Sequence, residues 1–296
     1  MAFVRRPLSE WLLRSRTLAL GARTLIMGVL NVTPDSFSDG GVFFNTEAAV
    51  DHASAMLDAG ADILDVGGES TRPGSRAVSP EEELERVLPV IEAVLRERPE
   101  TIFSIDTYKA STARAVVAAG VEIVNDVSAF TWDAEMAGAC AKLRCGVILM
   151  HTRGRPGEWR TQPRLEQTEV VPLVHDDLAR LLDRAASVGV ERSRIVLDPG
   201  YGFGKPLDNN YPLLAHLDDL LTLGRPLAAG VSRKSFLAHT LATANGATDV
   251  PVHERSNATL AATTAAILAG ASIVRVHDVR PAAEAASIAD AILAEL

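Results

Sequence analysis

Eight short apolar runs recur along the chain, each ending in small polar or charged residues, with helix-like stretches between them. The runs are Thr24–Leu30, Ala61–Val66, Ile102–Ile105, Val121–Val124, Gly146–Leu149, Arg194–Leu197, Pro226–Val231 and Ser272–Val276. At their C-terminal ends stand Asn31, Gly67 to Glu69, Asp106, Asn125, His151, Asp198, Ser232 to Lys234 and His277. Short apolar runs alternating with amphipathic segments predict repeated βα units and a parallel sheet. Eight such units predict an α/β fold, a single (β/α)₈ TIM barrel, whose chemistry belongs at the C-terminal strand ends.

The intervening segments carry helix-end signals. Ser79 and Pro80, followed by Glu81, Glu82 and Glu83, combine a cap, an N1 proline and first-turn acids. Further helices are predicted over Thr46–Ala59, Ala110–Ala119, Ala134–Leu143, Glu166–Val188, Tyr211–His216, Arg255–Ala269 and Ala282–Ala294, and another begins at Ser235. Val32–Asn45, Gly67–Ser79 and Thr152–Arg164 are long strand-to-helix loops, the kind that tends to carry function. Asp198–Asn210 is a glycine-rich fourth, read as a flexible wall. Residues 1–22 are expected to form a short surface extension and 23–296 the barrel domain.

Composition narrows the function. The net charge of −9 argues against a nucleic-acid surface, but not against an anion held in a local basic pocket. No window approaches the length of a membrane span, and Arg5 and Arg6 precede no apolar core that would make an export signal. The two cysteines, Cys140 and Cys145, have no metal-site partners and suit a cytosolic protein.

The strand ends hold the candidate chemistry. Asp106, Asn125 and Asp198 could converge on one planar ligand rich in N–H donors; the alternative is that each caps the following helix. Arg233, Lys234, Arg275 and His277, beside the start of the helix after the seventh strand, suit an anion. A solvated basic turn is the other reading, though Arg275 and His277 alternate inside an apolar strand. Asn31 offers a carboxamide oxygen to a magnesium ion, or simply forms a turn. Gly200 to Lys205 fails as a phosphate loop because Pro206 stands where Ser or Thr is needed.

Two long blocks, Gly28-Val-Leu-Asn-Val-Thr-Pro-Asp-Ser-Phe-Ser-Asp-Gly-Gly41 and Ala61-Asp-Ile-Leu-Asp-Val-Gly-Gly-Glu-Ser-Thr-Arg-Pro-Gly74, resemble the signatures of the dihydropteroate synthase family of pterin-binding barrels. Ser104–Thr107, Asn125–Val127, Met150–His151, Asp198–Lys205, Ser232–Ser235 and Arg275–Asp278 are similar to the rest of its pattern, with Tyr201 where phenylalanine is usual. The resemblance implies a magnesium-dependent transferase joining 6-hydroxymethyl-7,8-dihydropterin diphosphate to p-aminobenzoate, giving 7,8-dihydropteroate and pyrophosphate. It implies that Asp106, Asn125, Asp198 and Lys234 hold the pterin. Asn31, Arg72, Arg275 and His277 would hold the diphosphate, with Asn31 on Mg²⁺. Thr71, Pro73, Phe203 and Ser235, with Lys234, would line the p-aminobenzoate site, and Asp35 and Phe37 would belong to a closing loop. Lys234, Arg275, His277 and Asp106 form the implied catalytic set, and a homodimer is the implied assembly. Other readings are a pterin-binding methyltransferase barrel, which needs no diphosphate site, a Schiff-base aldolase using Lys234, and a pterin binder without turnover.

Overall fold

Alternation along each strand decides which side chains share the barrel interior. In a computed structural model, which describes residues 3–33, 41–71 and 74–296, eight parallel strands close into one barrel. A hairpin of β1 (Ser9–Leu12) and β2 (Thr17–Leu20) precedes it. The barrel strands are β3 (Leu25–Asn31), β4 (Ile63–Gly67), β5 (Phe103–Asp106), β6 (Ile123–Asp126), β7 (Gly146–Met150), β8 (Ile195–Asp198), β9 (Leu227–Ala229) and β10 (Ala271–Val276). They run in sequence order around the barrel, with β10 closing on β3.

The period of two along a strand sorts these residues into layers. Leu25, Met27, Ile63, Ile123, Ile148, Val196, Ala228 and Ile273 form an apolar cluster inside the lower half. Two residues beyond the last of these in each strand stand Val29, Asp65, Asn125, Met150, Asp198, Gly230 and Arg275. The alternate set, including Ile26, Leu64, Ile105, Val124, Leu149, Leu197 and Val274, belongs to the outer core. That core packs against α1 (Gly41–Asp58), α2 (Pro80–Glu97), α3 (Ala110–Ala118), α4 (Met136–Leu143), α5 (Gln167–Ser187), α6 (Asn210–Ala215), α7 (Ser235–Asn245), α8 (Ser256–Leu268) and α9 (Val279–Ala294). The barrel is thus dry below and polar above, and the polar layer meets the loops at the C-terminal rim.

The N-terminal extension is not the purely surface segment expected: Phe3 and Leu8 are exposed, but several of its side chains enter the barrel mouth. Trp11, Leu13 and Leu20 join the lower interior cluster, and Trp11 is fully buried. The indole N–H of Trp11 donates to the Arg194 carbonyl at 2.8 Å, and the Arg194 guanidinium donates to the carbonyl of Leu13 at 2.6 Å. Arg6 is buried too, paired with Asp290 at 2.6 Å. The hairpin stoppers the N-terminal mouth because the apolar layer there would otherwise face water. Trp11→Ala should therefore cost about 3–5 kcal/mol of stability in denaturant unfolding, the usual range for emptying a buried aromatic site. Its kcat should change little, because Trp11 sits at the mouth away from the rim; a loss under about 1 kcal/mol would contradict the stopper role.

The helix-end reading holds where its residues are strongest. The Ser79 side chain caps α2 by accepting the Glu82 backbone N–H at 3.2 Å, with Pro80 at N1. Cys140 and Cys145 are both buried and unbridged. Among the described residues no helix is long and apolar enough to cross a membrane.

Candidate active site

The upper polar layer opens into a cleft of about 920 Å³ at the C-terminal rim. Asn31, Thr71, Asp106, Asn125, Asp198, Phe203, Lys234, Ser235, Arg275 and His277 all line it. The sequence-predicted residues that fall within the described part of the chain therefore meet in one place. Asp35, Phe37, Arg72 and Pro73 lie outside the described residues.

At the floor, one guanidinium ties carboxylates from two strands. Arg275, on β10, donates from Nε to Asp65 Oδ2 at 2.5 Å and from Nη2 to Asp106 Oδ2 at 2.7 Å. Asn125, on β6, donates its Nδ2 to the same Asp65 oxygen at 3.0 Å. Burial alone would lower the Arg275 pKa, but Asp65 and Asp106 outweigh it and hold the guanidinium protonated beyond its usual range. Burial pushes the Asp106 carboxyl up to about 7 even beside Arg275, and the charge of Asp65 pushes the same way. Asp65 was absent from the expected site. Its signal was present: a carboxylate inside the otherwise apolar Ile63–Gly67 run has to find a partner when buried. Its Oδ1 is buried with no partner among the described residues.

Asp198 ends β8 and is shaped by its own turn. Its Oδ1 accepts the Gly200 backbone N–H at 2.7 Å. Burial raises its pKa, opposed by that hydrogen bond and by the charge of Lys234. The turn is not the flexible wall expected. Lys205 is buried and donates its ammonium to the carbonyls of Gly200 at 2.8 Å and Phe203 at 3.2 Å, and at longer range to His151. Burial lowers its pKa to about 7. Gly200 has a φ of +67°, and a Cβ there would stand 1.9 Å from the His151 carbonyl oxygen, so only glycine fits. The lysine of this failed phosphate-loop pattern is thus an internal clamp that presents Phe203 to the cleft.

The cations arrive with the start of α7. Lys234 is its N-cap residue, and its ammonium sits 4.1 Å from the centre of the Phe203 ring. Ser235 opens the helix, so backbone N–H groups face the cleft beside it. Ser232 Oγ lies 2.9 Å from His277 Nδ1 and accepts the His277 backbone N–H at 3.2 Å. Arg233, by contrast, pairs with Asp278 at 2.7 Å and has a φ of +59°, a conformation that turns the chain toward α7.

A second charged network, which no sequence motif marks, lies beside Glu69. Lys109 bridges Glu69 and the buried Glu83, at 3.1 Å to the latter, and Tyr108 donates its hydroxyl to Glu69 at 3.2 Å. This ties the loop that carries Ser70 and Thr71 to α2 and to the start of α3.

A parallel barrel whose rim joins buried carboxylates, a carboxamide and cations defines an enzyme for a polar ring bearing an anionic group. Residues 27–277 match the family described as "Pterin binding enzyme". A dihydropteroate synthase of Clostridium beijerinckii is 42% identical over 283 residues, 94% of this chain and 98% of that protein. A Xanthomonas albilineans dihydropteroate synthase solved with 4-aminobenzoic acid superposes with a TM-score of 0.87 at 40% identity, covering 97% of this chain and 99% of that one. The same species' enzyme in complex with 7,8-dihydropteroate gives a TM-score of 0.82 at 38% identity, covering 95% and 97%. The chain belongs to the dihydropteroate synthase family of pterin-binding enzymes.

Proposed function

We propose that the protein condenses 6-hydroxymethyl-7,8-dihydropterin diphosphate with p-aminobenzoate, forming 7,8-dihydropteroate and pyrophosphate. The observation that carries this reading is one cleft in which Asp106, Asn125 and Asp198 face Lys234, Arg275 and His277. The two carboxylates accept from the ring N–H groups of the pterin, and Asn125 both gives and accepts. Lys234 donates to the ring's carbonyl side. Arg275 and His277, with Arg72, receive the diphosphate. Before substrate arrives, Arg275 neutralises Asp65 and Asp106, and the diphosphate then competes for that guanidinium. Thr71, Phe203 and Ser235 line the arylamine's place, and the family resemblance alone assigns Pro73, Asp35 and Phe37 to it.

The bond made is arylamine nitrogen to exocyclic methylene carbon, and the bond broken joins that carbon to the diphosphate oxygen, which leaves with the electron pair. The ammonium proton formed at nitrogen passes to solvent. The arylamine is already neutral at pH 7, so positioning dominates and no enzyme nucleophile is required. Cations beside the leaving oxygen stabilise its charge, and the acidic side chains on the ring stabilise positive charge spreading into it.

Magnesium belongs to this reading. Asn31 supplies one neutral oxygen at the rim, lying 3.8 Å from where a Gly67 Cβ would be, a position that also faces Asp106. Among the described residues no group of three His, Cys, Asp or Glu side chains could hold a metal. A single carboxamide fits an ion that draws its other ligands from diphosphate oxygens and water. Bound there, Mg²⁺ would supply charge neutralisation at the departing pyrophosphate. A homodimer and a cytosolic location complete the proposal; buried, unbridged Cys140 and Cys145 support a reducing compartment, and light scattering of the purified protein tests the dimer.

The test is turnover with both substrates. Pyrophosphate and dihydropteroate should form only when the pterin diphosphate and p-aminobenzoate are both present. Tight pterin binding with no pyrophosphate at saturating p-aminobenzoate would favour a pterin binder without turnover.

A further inference from the structure

The Thr152–Arg164 loop has no role in the reaction as assigned above, yet it places a tryptophan in the cleft wall. Trp159 lines the cleft within the short 3₁₀ turn Pro156–Thr161. Its ring meets Phe203 edge to face, with centroids 5.2 Å apart and planes at 80°. Two kinds of contact fix the indole and the loop. Its N–H donates to the Gly154 carbonyl at 3.1 Å. The Arg153 guanidinium donates to the Gly204 carbonyl at 3.2 Å and to the Pro163 carbonyl at 2.9 Å. The loop is therefore fastened to the same turn that Lys205 clamps from within. Phe203 in turn carries the Lys234 ammonium on its ring. Trp159, Phe203 and Lys234 form one continuous chain of contacts from the loop to the cationic side of the cleft.

We propose that Trp159 is a positioning residue for the arylamine, holding the Phe203 ring at the angle at which it lies along the benzene ring of p-aminobenzoate. Aromatic rings pack by geometry as well as by area, so removing the indole frees Phe203 to rotate and leaves an apolar gap beside it. The effect falls mainly on the arylamine: Lys234 touches Phe203, but Asp106, Asn125 and Asp198 project from the barrel strands and keep hold of the pterin. The proposal rests on the transferase reading given above.

The experiment is steady-state kinetics of full-length Trp159→Ala, Trp159→Phe, Phe203→Ala and the Trp159→Ala/Phe203→Ala double variant, with unfolding midpoints recorded for each. An aromatic pair of this kind corresponds to about a three- to tenfold effect. Trp159→Ala should raise KM for p-aminobenzoate by about that factor while KM for the pterin diphosphate and kcat stay within about twofold. Trp159→Phe should recover most of the loss. Because Trp159 acts through Phe203, the double variant should be little worse than Phe203→Ala alone. An unchanged Trp159→Ala, a rise in both KM values together, or losses that multiply in the double variant would overturn the proposal. If Trp159→Ala does not fold, a Trp159→Phe enzyme with the same KM split as Phe203→Ala overturns it as well. A wild-type enzyme that releases no pyrophosphate would sink the transferase reading and this proposal together, whereas an active wild type with an indifferent Trp159→Ala sinks the proposal alone.

Discussion

Arg275→Ala should abolish measurable turnover and cost the fold about 3–5 kcal/mol, the range seen when one partner of a buried ion pair is removed. The reason is local and visible. One guanidinium holds Asp65 at 2.5 Å and Asp106 at 2.7 Å, and Asp65 is wholly buried. Without Arg275 the two carboxylates in the barrel interior lose the guanidinium that both contact. The pH dependence gives the diagnostic. The Asp106 carboxyl already sits near 7 in the fold, above its ordinary value, chiefly through burial. A carboxyl raised by folding favours the folded state below its unfolded pKa, about 4, and that contribution is lost as pH rises through its folded value. Removing the guanidinium raises it further, so the deficit of Arg275→Ala against wild type should be large at pH 8 and shrink toward pH 5. Arg275→Lys should be intermediate, since one ammonium is a point donor and cannot reproduce the planar fork that spans both contacts. Thermal unfolding across that range checks it. A deficit that grows on acidification, or none at all, would show that the three groups are not coupled as described.

Asp198→Asn should weaken binding of the pterin substrate by about 10- to 100-fold, the cost of about 1–3 kcal/mol for a donor left facing the wrong group. The fold should survive. The amide has the carboxylate's shape, and its oxygen can keep the Gly200 N–H bond now made at 2.7 Å. That choice forces the NH₂ group into the cleft, where a ring N–H would meet a donor in place of an acceptor. The charge also leaves, and with it the counterweight to Lys234. Calorimetric titration with the pterin diphosphate measures the loss, and the unfolding midpoint should move by only a few degrees. A Kd within about threefold of wild type would remove Asp198 from the pterin site.

The residues that were legible beforehand share one property: each sits where a simple rule meets an exception. Asp106, Asn125 and Asp198 end apolar runs, and Arg275 and His277 interrupt one, so each announced a polar group at the rim. Lys205 announced itself only as a failed motif, since nothing local shows that its ammonium would turn inward to three carbonyls. Asp65 carries the same kind of signal, a carboxylate inside an apolar run, but nothing along the sequence says that its partners are Arg275 and Asn125. Trp159 had no local signal at all: its partner, Phe203, lies on another strand's loop. The hairpin is hard to read because its strands, Ser9–Leu12 and Thr17–Leu20, are only four residues each and lie in no uninterrupted apolar run, although Trp11 and Leu13 alternate as a strand facing a core would.

Hydrophobic periodicity by itself determined the eight βα units, their order and the face that would carry chemistry, because burial of alternate residues leaves a parallel sheet of this length little choice but closure. The long signature blocks determined the family. What only tertiary structure decided is which polar residues of that face are paired before any substrate binds. Arg275 reaches Asp65 and Asp106 from opposite ends of the chain, across the barrel interior, and such pairings are set by strand stagger and side-chain reach, not by spacing along the sequence. The same holds for the stoppered lower mouth and for the indole that steadies Phe203.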